Sequence, residues 1–156
     1  MAETKSAIRP LASNRRALHD YHVHDRVEAG LVLTGTEVKS CRMGKIQLRD
    51  GHVSFRGGEA FLEGVHISPY SHGHRDNPLP DRERKLLLSR REIDRFSGRA
   101  QAKGFTVVPL AIYLKGDRVK VELALVQGKK LFDKRETERR RELDREAQAA
   151  LRGEHD

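Results

Sequence analysis

"FTVVPLAIYLKGDRVKVELALV", residues 105–126, decides the fold. Two runs rich in β-branched and aliphatic residues flank Lys115-Gly116-Asp117. Such residues suit a pleated, half-buried surface, and Gly-Asp is the chemistry of a tight hairpin turn. The segment predicts an antiparallel hairpin. Pro109 offers no N–H to a ladder, so its arm is either an edge strand or carries a bulge.

Working back along the chain, the period-two pattern recurs. "KLLL" (85–88) reads as a short strand, "EAFLEGVHIS" (59–68) as two, and "IQLRDGHVSF" (46–55) as strand, Asp-Gly turn, strand. Gly57-Gly58 reads as a hairpin turn. "YHVH" (21–24) alternates like a strand, whereas "VEAGLVL" (27–33) is ambiguous because Glu28 and Gly30 interrupt it. Two helices interrupt the strands. "TGTEVKSCRMGK" (34–45) predicts one, with Thr36 as N-cap and Gly44 beyond its end. "SRREIDRFSGRAQAKG" (89–104) predicts another, with Ser89 and Glu92 as a capping box and Gly98 dividing it in two. "SPYSHGHRDNPLPDR" (68–82) reads as a loop. The count favours a mainly β fold, a small OB-like antiparallel barrel with short appended helices.

The 156 residues fit one domain. Three parts are expected: a flexible leader at 1–13, a barrel at 14–128 and a charged tail at 129–156. A net charge of +8 with 35% charged residues makes a polyanion the partner to expect. One cysteine, Cys41, excludes an internal disulfide and fits a reducing, cytoplasmic setting. The longest apolar run, Val107–Leu114, is too short to span a bilayer, and the N-terminus lacks a secretory apolar core.

The tail is polarised. Lys129–Arg141 holds seven basic residues against three acids, and Glu142–Asp156 two against five. Its apolar line is thin, so it reads either as a solvated end or as a segment that becomes helical on a polyanion.

Chemistry-bearing patterns are few. "HVH" (22–24) and "HGH" (72–74) space imidazoles for chelation, but four ligands are not in view, and solvent- or RNA-facing histidines are the favoured reading. There is no nucleophile elbow, Walker loop, H-E-x-x-H or dinucleotide motif. Neither enzyme activity nor a cofactor is expected. Basic clusters stand out instead: "NRRALH" (14–19), Lys39/Arg42/Lys45 and "RERK" (82–85). His19, Tyr21 and Phe132 lie near basic residues, as stacking partners of bases would.

"NRRALHDY", "EAGLVLTGTEVKSCRMGK", "GEAFLEGVHISPY", "RERKLLLSRREI", "KGFTVVPLAIYLKGDRVKVELALVQGKK" and "DKR" occur in this order. From about Asn14 to Arg135 the chain resembles the small protein B family, the SsrA-binding proteins that partner transfer-messenger RNA (tmRNA) in bacterial ribosome rescue. The resemblance implies an OB-like barrel that binds the tRNA-like domain of tmRNA and takes it to stalled ribosomes. It implies a tail that is disordered when free and helical in the empty messenger channel. It implies an RNA face of Asn14, Arg15, Glu28, Lys39, Arg42, Lys45, Lys85 and Leu87. It places His19, Lys129, Lys130, Phe132, Asp133, Lys134 and Arg135 at the 16S rRNA decoding centre. The protein would work as a monomer on RNA, away from membranes. Cys41 stands where the family usually has Leu, and "RDNPLPDR" lacks a common histidine. The rival reading is a ribosomal or general OB-fold translation protein, and a histidine-based RNA hydrolase is a distant third.

Overall fold

A computed structural model describes residues 7–71 and 77–128, with Arg145 and Ala147 in the tail. The element order is β1 (Ile8–Ser13), α1 (Arg15–Asp20), β2 (Tyr21–Leu31), α2 (Gly35–Arg42), β3 (Ile46–Gln47), β4 (His52–Arg56), β5 (Glu59–Glu63), β6 (His66–Ile67), β7 (Arg84–Leu87), α3 (Arg90–Ala100), β8 (Phe105–Lys115) and β9 (Arg118–Gly128).

The hairpin predicted from 105–126 is the spine. Lys115 pairs with Arg118, so the turn holds two residues, and Gly116 takes φ +65° there. Strand β9 then pairs with β2, and the antiparallel sheet runs β1-β8-β9-β2-β7-β5-β4, while β3 and β6 form a separate two-stranded sheet. The ends of this order, β1 and β4, are not paired with each other, so the barrel is open. The sheet still curls enough to bring the start of β4 against β8: a Cβ placed on Gly51 would lie 2.7 Å from Pro109 Cγ.

Several expectations are corrected. Residues 8–13 are not a leader, because β1 pairs with β8 from Ile8↔Lys115 to Ser13↔Ala111. Leu11 and Ala12 pack on the core, and Pro10 sits at a register shift on the edge strand, where a missing N–H is tolerated. Residues 15–20 form a helix that the sequence reading passed over. The N-cap of α2 is Thr34, not Thr36; Thr34 and Glu37 form a reciprocal capping box. Asp50-Gly51 does not close a hairpin, since β3 and β4 go to different sheets. Helix α3 runs unbroken through Gly98. The Pro109 alternatives resolve to a bulge, with the register shifting between Pro109 and Ala111.

The main core joins the inner sheet face (Leu62, Leu86, Val107, Ile112, Val121, Leu123, Leu125) to Cys41 of α2 and to Ile93 and Phe96 of α3. Each bulge turns the strand over. On the other face, Val108, Leu110, Ala124 and Val126 form a second cluster capped by Ala17 of α1. Burial pushes the Cys41 thiol up to about 12, so it is an inert packing group.

Candidate nucleic-acid interface

Directly opposed residues of paired strands share a face. Glu28↔Glu122, Gly30↔Lys120, Tyr113↔Lys120 and Gly30↔Leu87 therefore place Glu28, Tyr113, Lys120 and Leu87 together on the outer face of the curled sheet. Lys85 alternates outward with Leu87, while Arg84 and Leu86 turn inward. Three of the expected RNA residues, Glu28, Lys85 and Leu87, are thus collected on one surface.

Within it, Glu28 accepts hydrogen bonds from the Tyr113 hydroxyl and from Lys115 Nζ at 3.2 Å. The Tyr113 bond, outweighing partial desolvation and helped by Lys115 and Lys120, holds the Glu28 carboxyl below the usual range. Burial and the same carboxylate raise the Tyr113 phenol. Glu28 faces Glu122, an unfavourable pairing that is answered separately: Arg26 Nη1 lies 3.4 Å from Glu122. Leu87 is 54% exposed, a large apolar side chain left in water. It forms the ridge between two depressions, one reaching Lys85 and Arg90, the other Val38, Arg118 and Lys120. Gly30 leaves the space that seats it, since a Cβ there would come within 3.1 Å of Leu87 Cβ.

Helix α2 joins this surface at its rim through Val38. Lys39, Arg42 and Lys45 are all exposed, and Lys39 Nζ lies 5.3 Å over the Tyr70 ring. What orients α2 is beneath it. Glu37, 3% exposed, receives Arg82 Nε and Arg84 Nε, each at 2.9 Å. Arg84, wholly buried, also donates to the carbonyls of Val65 at 2.7 Å and Pro80 at 2.8 Å. The "RERK" cluster is therefore not one basic patch, because Arg82 and Arg84 hold Glu37 and Lys85 is the member that faces out beside Leu87. Desolvation pushes the Glu37 carboxyl up, but bonds from Arg82, the Thr34 N–H and Arg84 outweigh it and leave it below its ordinary value.

Asn14, expected on the RNA face, lies buried in the structure. It is 4% exposed, caps α1 by accepting from the Ala17 N–H at 3.1 Å, and donates to the carbonyls of Leu48 and Pro109. It braces α1 across the open side of the barrel. Arg15 follows on the exposed side of α1, and His19 lies outward in its last turn, with Nδ1 3.0 Å from Asp20. That contact, opposed by slight desolvation and aided by Arg16, lowers the Asp20 carboxyl. Tyr21 pairs with Gly128, so His19 lies next to the strand end from which the tail departs. Lys129, Lys130, Phe132, Asp133, Lys134 and Arg135 lie outside the described residues, as does the "HGH" pair. No trio of metal-ligand side chains occurs among the described residues, and none of their helices is long and apolar enough to cross a membrane.

The sequence reading missed Tyr113, Lys115 and Lys120. Their mutual placement was available, because a two-residue Gly116-Asp117 turn sets Tyr113 opposite Lys120. Their meeting with Glu28 depends on the β2–β9 register, which no local signal encodes.

The SmpB protein family model matches residues 11–153. An SsrA-binding protein of Symbiobacterium thermophilum is 51% identical over all of this chain and 99% of its own length. That of Pelobacter propionicus is 51% identical over 91% of this chain and 93% of its own. A solved structure described as "tmRNA-SmpB: a journey to the center of the bacterial ribosome" superposes with a TM-score of 0.65 at 45% identity, covering 75% of this chain and 82% of that one. With the family model over residues 11–153 and near-full-length relatives at about half identity in agreement, the chain belongs to the SmpB family.

Proposed function

We propose that this chain binds the tRNA-like domain of tmRNA on its outer sheet face and carries it to stalled ribosomes in the cytoplasm. Its relatives are named SsrA-binding proteins, and the similar solved structure is described with tmRNA and the bacterial ribosome. The observation that carries the reading is the collection of Glu28, Lys85 and Leu87 with Lys120 on one exposed surface.

On that surface the lysines and the α2 cations take phosphates, a contribution that weakens with salt. Leu87 offers an apolar platform for a ribose or an unstacked base. Glu28 works by holding Tyr113 and Lys115 in place. Helix α1, with His19, and the tail root after Gly128 form the ribosomal end. There the tail takes the place of an anticodon arm, basic root first, with Asp133 capping its bound helix and Lys134 and Arg135 on phosphates. The role is one of binding; no catalytic step and no cofactor are assigned, and a single copy serves each RNA.

The test is a salt titration against the tRNA-like domain and against a plain RNA duplex of equal length, with and without the residues after Gly128. Preference for the tRNA-like fold, unchanged by tail removal, is expected. Loss of preference, with affinity collapsing when the tail is removed, would leave a general polyanion binder such as a ribosomal protein.

A further inference from the structure

Helix α3 carries more positive charge than its packing uses. Ile93 and Phe96 bury it in the core, and Ser89 and Glu92 cap its start. Its outward positions hold Arg91, Arg95 and Arg99, spaced four apart, with Lys103 just beyond the helix. Like charges at that spacing disfavour a helix, so the series needs a reason outside α3 itself.

One carboxylate organises two of the three. Asp25 sits where the β2 register shifts, and a bulge re-aims a side chain. Its Oδ2 lies 3.2 Å from Arg95 Nε and 3.1 Å from Arg99 Nη1. The two guanidinium side chains remain 43% and 48% exposed, and that of Arg95 rests 4.9 Å over the Phe96 ring. A single negative charge shared by two cations orients them without neutralising them, and among the described residues Asp25 is their one ion-pair partner. Arg91 is exposed and makes no ion pair with another described residue.

The helix also has a telling position. It starts beside the Leu87 depression, which Arg90 and Ile93 help to line. Past its end, the Gly104 carbonyl accepts from the Gly128 N–H at the root of the tail. Its packed side enters the inner core, whereas Glu28, Lys85 and Leu87 face out from the opposite side of the sheet.

We propose that the outward side of α3 is a second RNA surface, on which Arg91, Arg95 and Arg99 contact the phosphate backbone of ribosomal RNA while the sheet face holds the tRNA-like domain. The proposal rests on the ribosomal reading above. Planar guanidinium forks suit phosphate oxygens, and the row leads toward the strand end that launches the tail.

The test uses the full-length chain with Arg91→Gln/Arg99→Gln, the charge-retaining Arg91→Lys/Arg99→Lys, and Arg91→Gln alone, which disturbs no ion pair among the described residues. Each is titrated over salt against a tRNA-like-domain transcript and against isolated small ribosomal subunits. The double Gln variant should bind the transcript as wild type does. On subunits it should lose on the order of tenfold, with its log–log salt slope smaller by roughly 1.5 to 2. The Lys pair should recover most of the loss, and Arg91→Gln should show part of it. Unchanged affinity and slope on subunits would overturn the proposal, as would an equal loss on the transcript. Wild-type protein failing to bind subunits would sink the ribosomal reading itself, and that result is read before any variant is compared.

Discussion

Arg84 and Glu37 lie buried together, the guanidinium wholly and the carboxylate to 97%, with Nε 2.9 Å from Oε2. Arg82 completes the group, and the Glu37 carboxylate also accepts from the Thr34 N–H at the start of α2. Removing one partner of a buried pair leaves the other uncompensated. Glu37→Gln should therefore cost about 3 kcal/mol in urea unfolding. Because the folded state lowers the Glu37 carboxyl, the stability it contributes is full above its ordinary value of 4.5 and is lost as pH falls below that. In Glu37→Gln this part of the acid dependence should vanish; an unchanged acid limb would show that other carboxylates carry it.

Glu28 is expected to act through Tyr113 and Lys115. Glu28→Gln should weaken binding of the tRNA-like domain about three- to tenfold, a partly exposed site reducing the worth of a charged hydrogen bond. Tyr113→Phe should weaken it less, and the double variant should be no worse than Glu28→Gln. Additive losses in that cycle would place the Glu28 carboxylate on the RNA directly.

Leu87 tests whether an exposed apolar group serves binding. Leu87→Ala should move stability by no more than about 0.5 kcal/mol while lowering affinity for the tRNA-like domain, and Leu87→Glu should lower it further. Equal affinity for both variants and wild type would remove Leu87 from the interface.

Asn14 is expected to matter as a brace. Asn14→Ala loses a helix cap, about 1 kcal/mol, and strands two buried carbonyls, for a total of roughly 2 to 3 kcal/mol. Asn14→Asp keeps the cap but sets a buried carboxylate oxygen against the Leu48 and Pro109 carbonyls, and should cost at least as much as Asn14→Ala. Reduced RNA affinity at full thermal stability would instead indicate a direct contact.

In the tail, Asp133→Asn should keep most peptide tagging, because Asn also caps helices. Lys134→Glu/Arg135→Glu should abolish tagging and spare binding of the tRNA-like domain. Loss of both activities in that double variant would contradict the separation of the two ends.

Local chemistry made much of the fold legible. The Gly116-Asp117 turn, the Ser89–Glu92 box and the Gly57-Gly58 hairpin are contained within a few residues, and each is found where the sequence places it. Thr34–Glu37 carried the same box signal as Ser89–Glu92, and choosing Thr36 overlooked it. Helix α1 buries only Ala17 in six residues, too little for an apolar period to register. The pairing of β3 with β6, and of β1 with β8, joins segments far apart in sequence, and hydrophobic pattern does not encode partners. At the site, exposure followed from charge for Lys39, Arg42 and Lys85. The engagement of Arg82 and Arg84 with Glu37 did not, since an Arg-Glu-Arg run reads as surface until Glu37 is brought beneath it.

The pairing of Tyr21 with Gly128 sets a leash length. An extended chain advances at most about 3.6 Å per residue. Asp133, five residues past Gly128, thus stays within roughly 18 Å of that anchor whatever shape the tail takes. His19, two residues before Tyr21, shares the same mooring. Residues inserted directly after Gly128 would slacken the line to everything beyond while leaving His19 where it stands, so tail and helix would fall out of step on any surface that must receive both.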